Sequence, residues 1–219
     1  MKKNMLSVLV MFLSAGLFIA SSYTSGFTFG DDEVRKLKVD EKLFDEYYKL
    51  MQDCFTNARF EGVVKQVING AYVESKYTAY SKDLDYKRID VTTSGEKLSN
   101  VTTPDKVWYY FEKGNYVLYY DSKKNISKFN SKVYFDIAKS DGKITRSISG
   151  GLITYKLTDY TNNIKQTFVF DDATKLLQAQ LVESESGEKI ETSYKGWEHK
   201  KISKDTFDFP SRATAKCID

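Results

Sequence analysis

Two hydrophobic periods divide the chain. Between Val39 and Phe55 the apolar residues Val39, Leu43, Phe44, Tyr47, Leu50, Met51, Cys54 and Phe55 recur every three or four positions, the spacing of one helical face. Asp40 stands where an N-cap would, so the pattern predicts a helix over Asp40–Phe55. From Arg59 onward the period drops to two, that of strands buried on one face. It predicts strands over Arg59–Ile68, Tyr72–Tyr80, Tyr86–Thr92, Lys97–Thr103, Val107–Phe111 and Tyr116–Tyr120, then Leu152–Leu157, Ile164–Phe170, Leu176–Val182 and Glu188–Tyr194. Asn69-Gly70, Ser94-Gly95, Pro104-Asp105, Asp171-Asp172 and Ser186-Gly187 mark turns. Ser122–Gly151 is the least legible stretch; Ile126–Phe129 and Val133–Ile137 read as strands, Asp141-Gly142 and Gly150-Gly151 as turns.

One hairpin breaks the alternation. In Val107–Phe111 and Tyr116–Tyr120 both alternating faces are apolar, and Gly114-Asn115 in the joining loop tolerates positive φ. A hairpin apolar on both faces must be covered twice, or must line a cavity on one side. Trp108, Tyr110, Tyr116 and Tyr120 are read as an exposed second face. About ten strands and one long helix give an α+β layout: a curled antiparallel half-barrel sheet with the N-terminal helix packed on its concave face.

Composition agrees with a sheet. Aromatics make up 15% of 219 residues, with 16 Tyr against 2 Pro. Lys2 and Lys3 precede the apolar run Met5–Ala20 and small residues at Ala20–Ser22, which reads as a secretory signal over residues 1–22; an uncleaved anchor is the other reading. A linker over 23–38 and a single domain over 39–219 follow. Removing Lys2 and Lys3 leaves 31 of the 33 basic residues against 30 acidic ones, so no charge excess recommends nucleic acid or an anionic membrane. The mature chain is expected to be soluble: secreted or lumenal in a eukaryote, periplasmic in a two-membrane bacterium. An even pair of cysteines in an exported chain, Cys54 and Cys217, predicts a disulfide, with two free buried thiols as the alternative.

Catalytic chemistry finds little to stand on. The one histidine, His199, lies in a charged stretch and reads as solvated. With both cysteines paired, neither a Cys/His pair nor a His-based zinc site can be assembled. Phosphate-binding and dinucleotide glycine motifs are lacking, and nothing singles out a carboxylate pair for a hydrolase. Asp31-Asp32-Glu33 and Asp171-Asp172 lack the ligand spacing of a calcium loop. No metal, no cofactor and no enzymatic activity are expected. Asn100-Val101-Thr102 and Asn125-Ile126-Ser127 fit the glycosylation tripeptide.

Apolar binding is what the pattern supports. An incompletely closed sheet with a helix across it has a wall built from the inward residues of its strands. The predicted wall is Val73, Tyr77, Ile89, Val91, Val107, Tyr109, Phe111, Val117, Tyr119, Phe168, Phe170, Leu177 and Leu181. For each of them, ordinary packing against the helix is the competing reading.

The order of features resembles the superfamily of the bacterial lipoprotein carrier LolA, which includes LppX-type lipid carriers and ependymin-related secreted proteins. An N-terminal helix is followed by Phe60-Glu61-Gly62. Then come Asp85-Tyr86-Lys87-Arg88-Ile89-Asp90-Val91, Pro104-Asp105-Lys106-Val107-Trp108-Tyr109-Tyr110, and the closing Phe207-Asp208-Phe209-Pro210. The resemblance implies an open half-barrel capped by helices that holds an acyl chain or another hydrophobic molecule. It departs from LolA proper after the aromatic hairpin, where no lid helix is read, and near Lys82, where that protein's lid-locking arginine would fall. A Cys before the first strand and another after Phe209-Pro210 resemble the ependymin-related branch. Two functions are therefore expected to compete: a carrier of a lipid or acyl chain, and an adaptor that binds a protein partner.

Overall fold

The computed structural model describes residues 40–68, 71–83, 85–93, 96–121, 142–160, 163–185 and 187–218. The expected leader and 23–38 linker, the turns expected at Asn69-Gly70 and Ser94-Gly95, the strands expected at Ile126–Phe129 and Val133–Ile137, and the Asn125 tripeptide lie outside these residues. Helix α1 (Glu41–Phe55) starts where the pattern places it, with Leu43 N–H donating to Asp40 Oδ1 at 3.0 Å. Its buried stripe is Phe44, Tyr47, Met51, Cys54 and Phe55.

Twelve strands follow among the described residues: β1 (Ala58–Ile68), β2 (Ala71–Ser81), β3 (Lys87–Thr93), β4 (Glu96–Thr102), β5 (Val107–Phe111), β6 (Tyr116–Tyr120), β7 (Gly142–Ser149), β8 (Leu152–Asp159), β9 (Ile164–Asp171), β10 (Leu177–Ser184), β11 (Lys189–His199) and β12 (Thr214–Cys217). They form one sheet in the order β12-β6-β5-β4-β3-β2-β1-β11-β10-β9-β8-β7. Two meanders, β1 to β6 and β7 to β11, join where β11 returns beside β1. All pairings are antiparallel except β12 on β6. Short turns make this possible. Gly150 and Gly151, both at positive φ, close the two-residue β7–β8 hairpin, and Asn115 at φ 47° closes β5–β6.

The helix lies on one face of this sheet and crosses half of it. Phe55 packs against Phe60 of β1 and Trp197 of β11; Leu177 N–H of β10 donates to Cys54 Sγ at 3.4 Å. Tyr47 meets Phe168 of β9 and Tyr155 of β8, and Glu46 pairs with Arg146 of β7 at 3.3 Å. Fifteen residues make a helix of about 22 Å, and six strands at roughly 4.8 Å spacing need about 24 Å. The helix thus roughly matches the width of β1, β11, β10, β9, β8 and β7, which its side chains reach, and does not extend beyond it. The helix packs against the sheet; the half of the face formed by β2 to β6 is left to other contacts, and Tyr77, Ile89, Val91, Val107 and Tyr109 are buried there, Val107 and Tyr109 completely.

The proposed disulfide does not form. Cys54 is buried at the C-terminal end of α1 over β10, while Cys217 is exposed on β12 at the opposite edge of the sheet. Eight strand steps separate β12 from β10 in the sheet order, far beyond the reach of a sulfur–sulfur bond.

Candidate functional site

The second apolar face of the β5–β6 hairpin is covered by the chain's own C-terminus. Trp108 is 1% exposed, its ring edge-on to Phe209 at 5.3 Å and its Nε1–H donating to the Phe207 carbonyl at 3.2 Å. Val101, Val117, Ile202 and Phe207 complete this small core, with Tyr110 and Tyr119 against it. The reading of Trp108, Tyr110, Tyr116 and Tyr120 as one exposed face is therefore overturned. Phe111 pairs with Tyr116 and Val107 with Tyr120, so Tyr116 and Tyr120 belong to the helix-bearing face.

That register also moves two predicted wall residues. Directly paired residues point to the same face. Trp108 pairs with Tyr119 and Tyr110 with Val117, so Val117 and Tyr119 lie under the tail, away from the helix. Leu181 is displaced by a different device. A register shift between Leu177 and Ala179 breaks the alternation of β10, leaving Leu177 on the helix-bearing face and Leu181, paired with Thr167, on the far one.

The remaining predicted residues fall into two groups. Phe168 and Leu177 meet the helix at Tyr47 and Cys54, and Phe170 stands edge-on to Tyr155 in the same cluster. Tyr77, Ile89, Val91, Val107, Tyr109 and Phe111 occupy β2, β3 and β5, on the half of the face beyond the six strands the helix spans. Val73 shares that side, half-buried beside Gln66. Leu98 of β4 joins this group and was not anticipated.

Polar atoms are set into this apolar ground without protein partners. They are Tyr77 Oη, Tyr109 Oη and Gln166 Nε2. Burial pushes both tyrosine hydroxyls well above their usual range, with Tyr194 adding to the effect at Tyr77 and Tyr120 at Tyr109. The Tyr77 ring lies across Gly62 of β1, where a Cβ would fall 2.1 Å from its Cζ. This brings its hydroxyl beside Tyr194, without a hydrogen bond of acceptable geometry. Tyr194 Oη donates to Gln180 Oε1 at 2.8 Å, and Gln180 Nε2 donates to Gln166 Oε1 at 3.2 Å. Gln66, Ser75 and Thr192 are buried on the same side. Their trace in the sequence is a polar side chain at an apolar parity position, such as Gln166 between Ile164 and Phe168, which a search for apolar alternation passes over.

Two further groups bear on chemistry. Lys87 begins β3 on the helix-bearing parity and is buried, which pulls its ammonium down to about 7 while Asp85 and Asp83 pull it back up. His199 is exposed, as its charged neighbours imply, and its Nε2–H donates to the Cys54 carbonyl at 3.1 Å at the C-terminal end of α1. Among the described residues no group of three or more His, Cys, Asp or Glu could hold a metal ion, and no helix is long and apolar enough to cross a membrane. Asn100 faces Tyr109 from within β4, half-buried, which is not the surface loop a glycosylated tripeptide occupies.

The far face carries an open furrow of about 270 Å³ between β1, β11, β10 and β9. Val63, Val169, Ala179 and Leu181 floor it, and Lys65 and Glu191 rim it.

No family model matches the chain, and no curated protein matches it by sequence. Among solved structures it is similar to an uncharacterized conserved protein from Thermus thermophilus, at 13% identity and TM-score 0.54, covering 81% of this chain and 98% of that one. That likeness is one of fold. Lower similarity is found to the LolA superfamily protein NE2245 from Nitrosomonas europaea, at 8% identity and TM-score 0.43, covering 78% and 98%. The MucA/MucB complex of Pseudomonas aeruginosa gives 12% identity and TM-score 0.47, covering 81% and 64%.

Proposed function

We propose that this chain is an exported, non-enzymatic carrier with a LolA-like half-barrel, binding a lipid, acyl chain or other hydrophobic ligand on its helix-bearing face. One observation carries the reading: the apolar face extends over β2 to β6, beyond the six strands that α1 can span. The ligand would lie on Tyr77, Ile89, Val91, Val107, Tyr109 and Phe111. Pockets of this kind are mostly apolar with a few placed polar groups, and the unpartnered hydroxyls of Tyr77 and Tyr109 fit that description. The resemblance in motif order to the LolA superfamily supports the same reading, and the leader over residues 1–22 would deliver the protein across a membrane. Organic extraction of protein purified from its own host, followed by mass spectrometry, tests it. A stoichiometric acyl-bearing compound is expected, and a reproducibly empty extract overturns it.

A second reading, a protein-binding adaptor, is favoured by the far-face furrow. Val67 and Tyr72, exposed on the same side, extend its apolar surface. Replacing Val169 and Leu181 with Ser would release a protein partner and leave a bound lipid in place.

A further inference from the structure

Uncharged hydrogen-bonding side chains form a belt beside the helix. Ser75 of β2 and Thr192 of β11 both pair with Val64, and Thr192 pairs on its other side with Gln180 of β10. One step along the strands lie Gln66 of β1 and Gln166 of β9. All five are buried on the helix-bearing side, Gln166 at 2% exposure. Burying five such groups is unfavourable unless their hydrogen bonds are completed. The chain from Tyr194 through Gln180 to Gln166 joins two of the five and then stops at Gln166 Nε2, a donor with nothing to donate to. Charged groups of this face stand apart from the five: Arg146 of β7 is taken up by Glu46, Asp159 lies at the end of β8, Glu96 of β4 pairs with Lys113, and the buried Lys87 begins β3 opposite Ser81, six residues along β2 from Ser75.

We infer that this belt seats the polar end of the acyl ligand, and that this end is an uncharged alcohol or ester. The inference rests on the carrier reading. A buried carboxylate or phosphate needs a charged or multiply donating partner, and the belt offers one free amide. A glycerol ester fits more readily, because its carbonyl accepts from Nε2. If the two glutamine amides are reversed as a pair, the free atom becomes Oε1, and a glycerol hydroxyl then donates to it. A carboxylate satisfies only the first arrangement.

Displacement of the apolar fluorophore N-phenyl-1-naphthylamine from the delipidated full chain tests this with three probes of one chain length: monolauroyl glycerol, laurate at pH 8, and dodecyl phosphate. Monolauroyl glycerol should displace the fluorophore at about tenfold lower concentration than either anion. Gln166→Leu and Gln180→Leu should each cut that preference about three- to tenfold, the loss of one neutral hydrogen bond, read as the ratio of monolauroyl glycerol to laurate displacement so that any change in fluorophore affinity cancels. Equal displacement by all three probes overturns the inference and leaves the carrier reading standing. So does a preference that survives both variants while their thermal stability falls, since the belt would then be structural only. Failure of the fluorophore and every probe to bind overturns the carrier reading, and this inference with it.

Discussion

Trp108 donates its indole N–H to the carbonyl of Phe207, 99 residues later in the chain, at 3.2 Å. Through that bond and the rings of Phe207 and Phe209, the C-terminal segment becomes the second cover of a hairpin that is apolar on both faces. Phe207→Ala should therefore destabilise the fold by about 3–4 kcal/mol, as large-to-small changes in a packed core do. Urea denaturation followed by tryptophan fluorescence would measure it. A change below about 1 kcal/mol would mean the tail is not a structural cover.

Gly62 and Tyr77 are coupled by sheer proximity. Gly62→Ala should cost about 1–3 kcal/mol, because the Tyr77 ring occupies the space of the new methyl group. The double variant Gly62→Ala with Tyr77→Val should lose less than the sum of the two single changes. Additive costs in the thermodynamic cycle would contradict the packing described here.

The thiols should behave as two unlike groups. Burial pushes the Cys54 thiol up to about 12, whereas Cys217 is exposed. The purified protein should alkylate one cysteine quickly at pH 8 and the second only on unfolding. A peptide map linking Cys54 to Cys217 would refute this.

Lys87 predicts a pH slope of definite sign. Its native ammonium titrates near 7 and the unfolded one near 10.5, so between these values the unfolded state binds more protons and stability rises with pH. The expected slope is on the order of 1 kcal/mol per pH unit over pH 7.5–9.5, and Lys87→Met should flatten it. Below pH 7 Lys87 contributes no slope. A wild-type stability that is flat across this window would show that the side chain reaches solvent.

Much of this architecture was legible in the chain. β5 and β6 begin and end where their aromatic runs do, and Asp40 caps α1 as its position implied. What failed was parity across connections. The four-residue loop pairs Phe111 with Tyr116, so odd residues of β5 share a face with even residues of β6, which sent Val117 and Tyr119 to the wrong wall. The register shift after Leu177 did the same to Leu181. Neither a loop's register nor a bulge has a local hydrophobic signature. β12 was missed because Thr214–Cys217 is exposed throughout and becomes a strand only by lying along β6; β7 was missed because its alternation fades after Ile144. The cover over Trp108 was hidden because Phe207 and Phe209 meet it only in three dimensions.

The central proposal is about place: a hydrophobic ligand would sit on the half of the sheet that α1 is too short to cross. Photocrosslinking with a diazirine-bearing fatty acyl probe, followed by peptide mapping of the full chain, tests it most directly. Label should concentrate on β2 to β5, at Tyr77, Ile89, Val91 and Tyr109. Label confined to the Val169–Leu181 furrow, or spread over the surface without preference, would contradict the account.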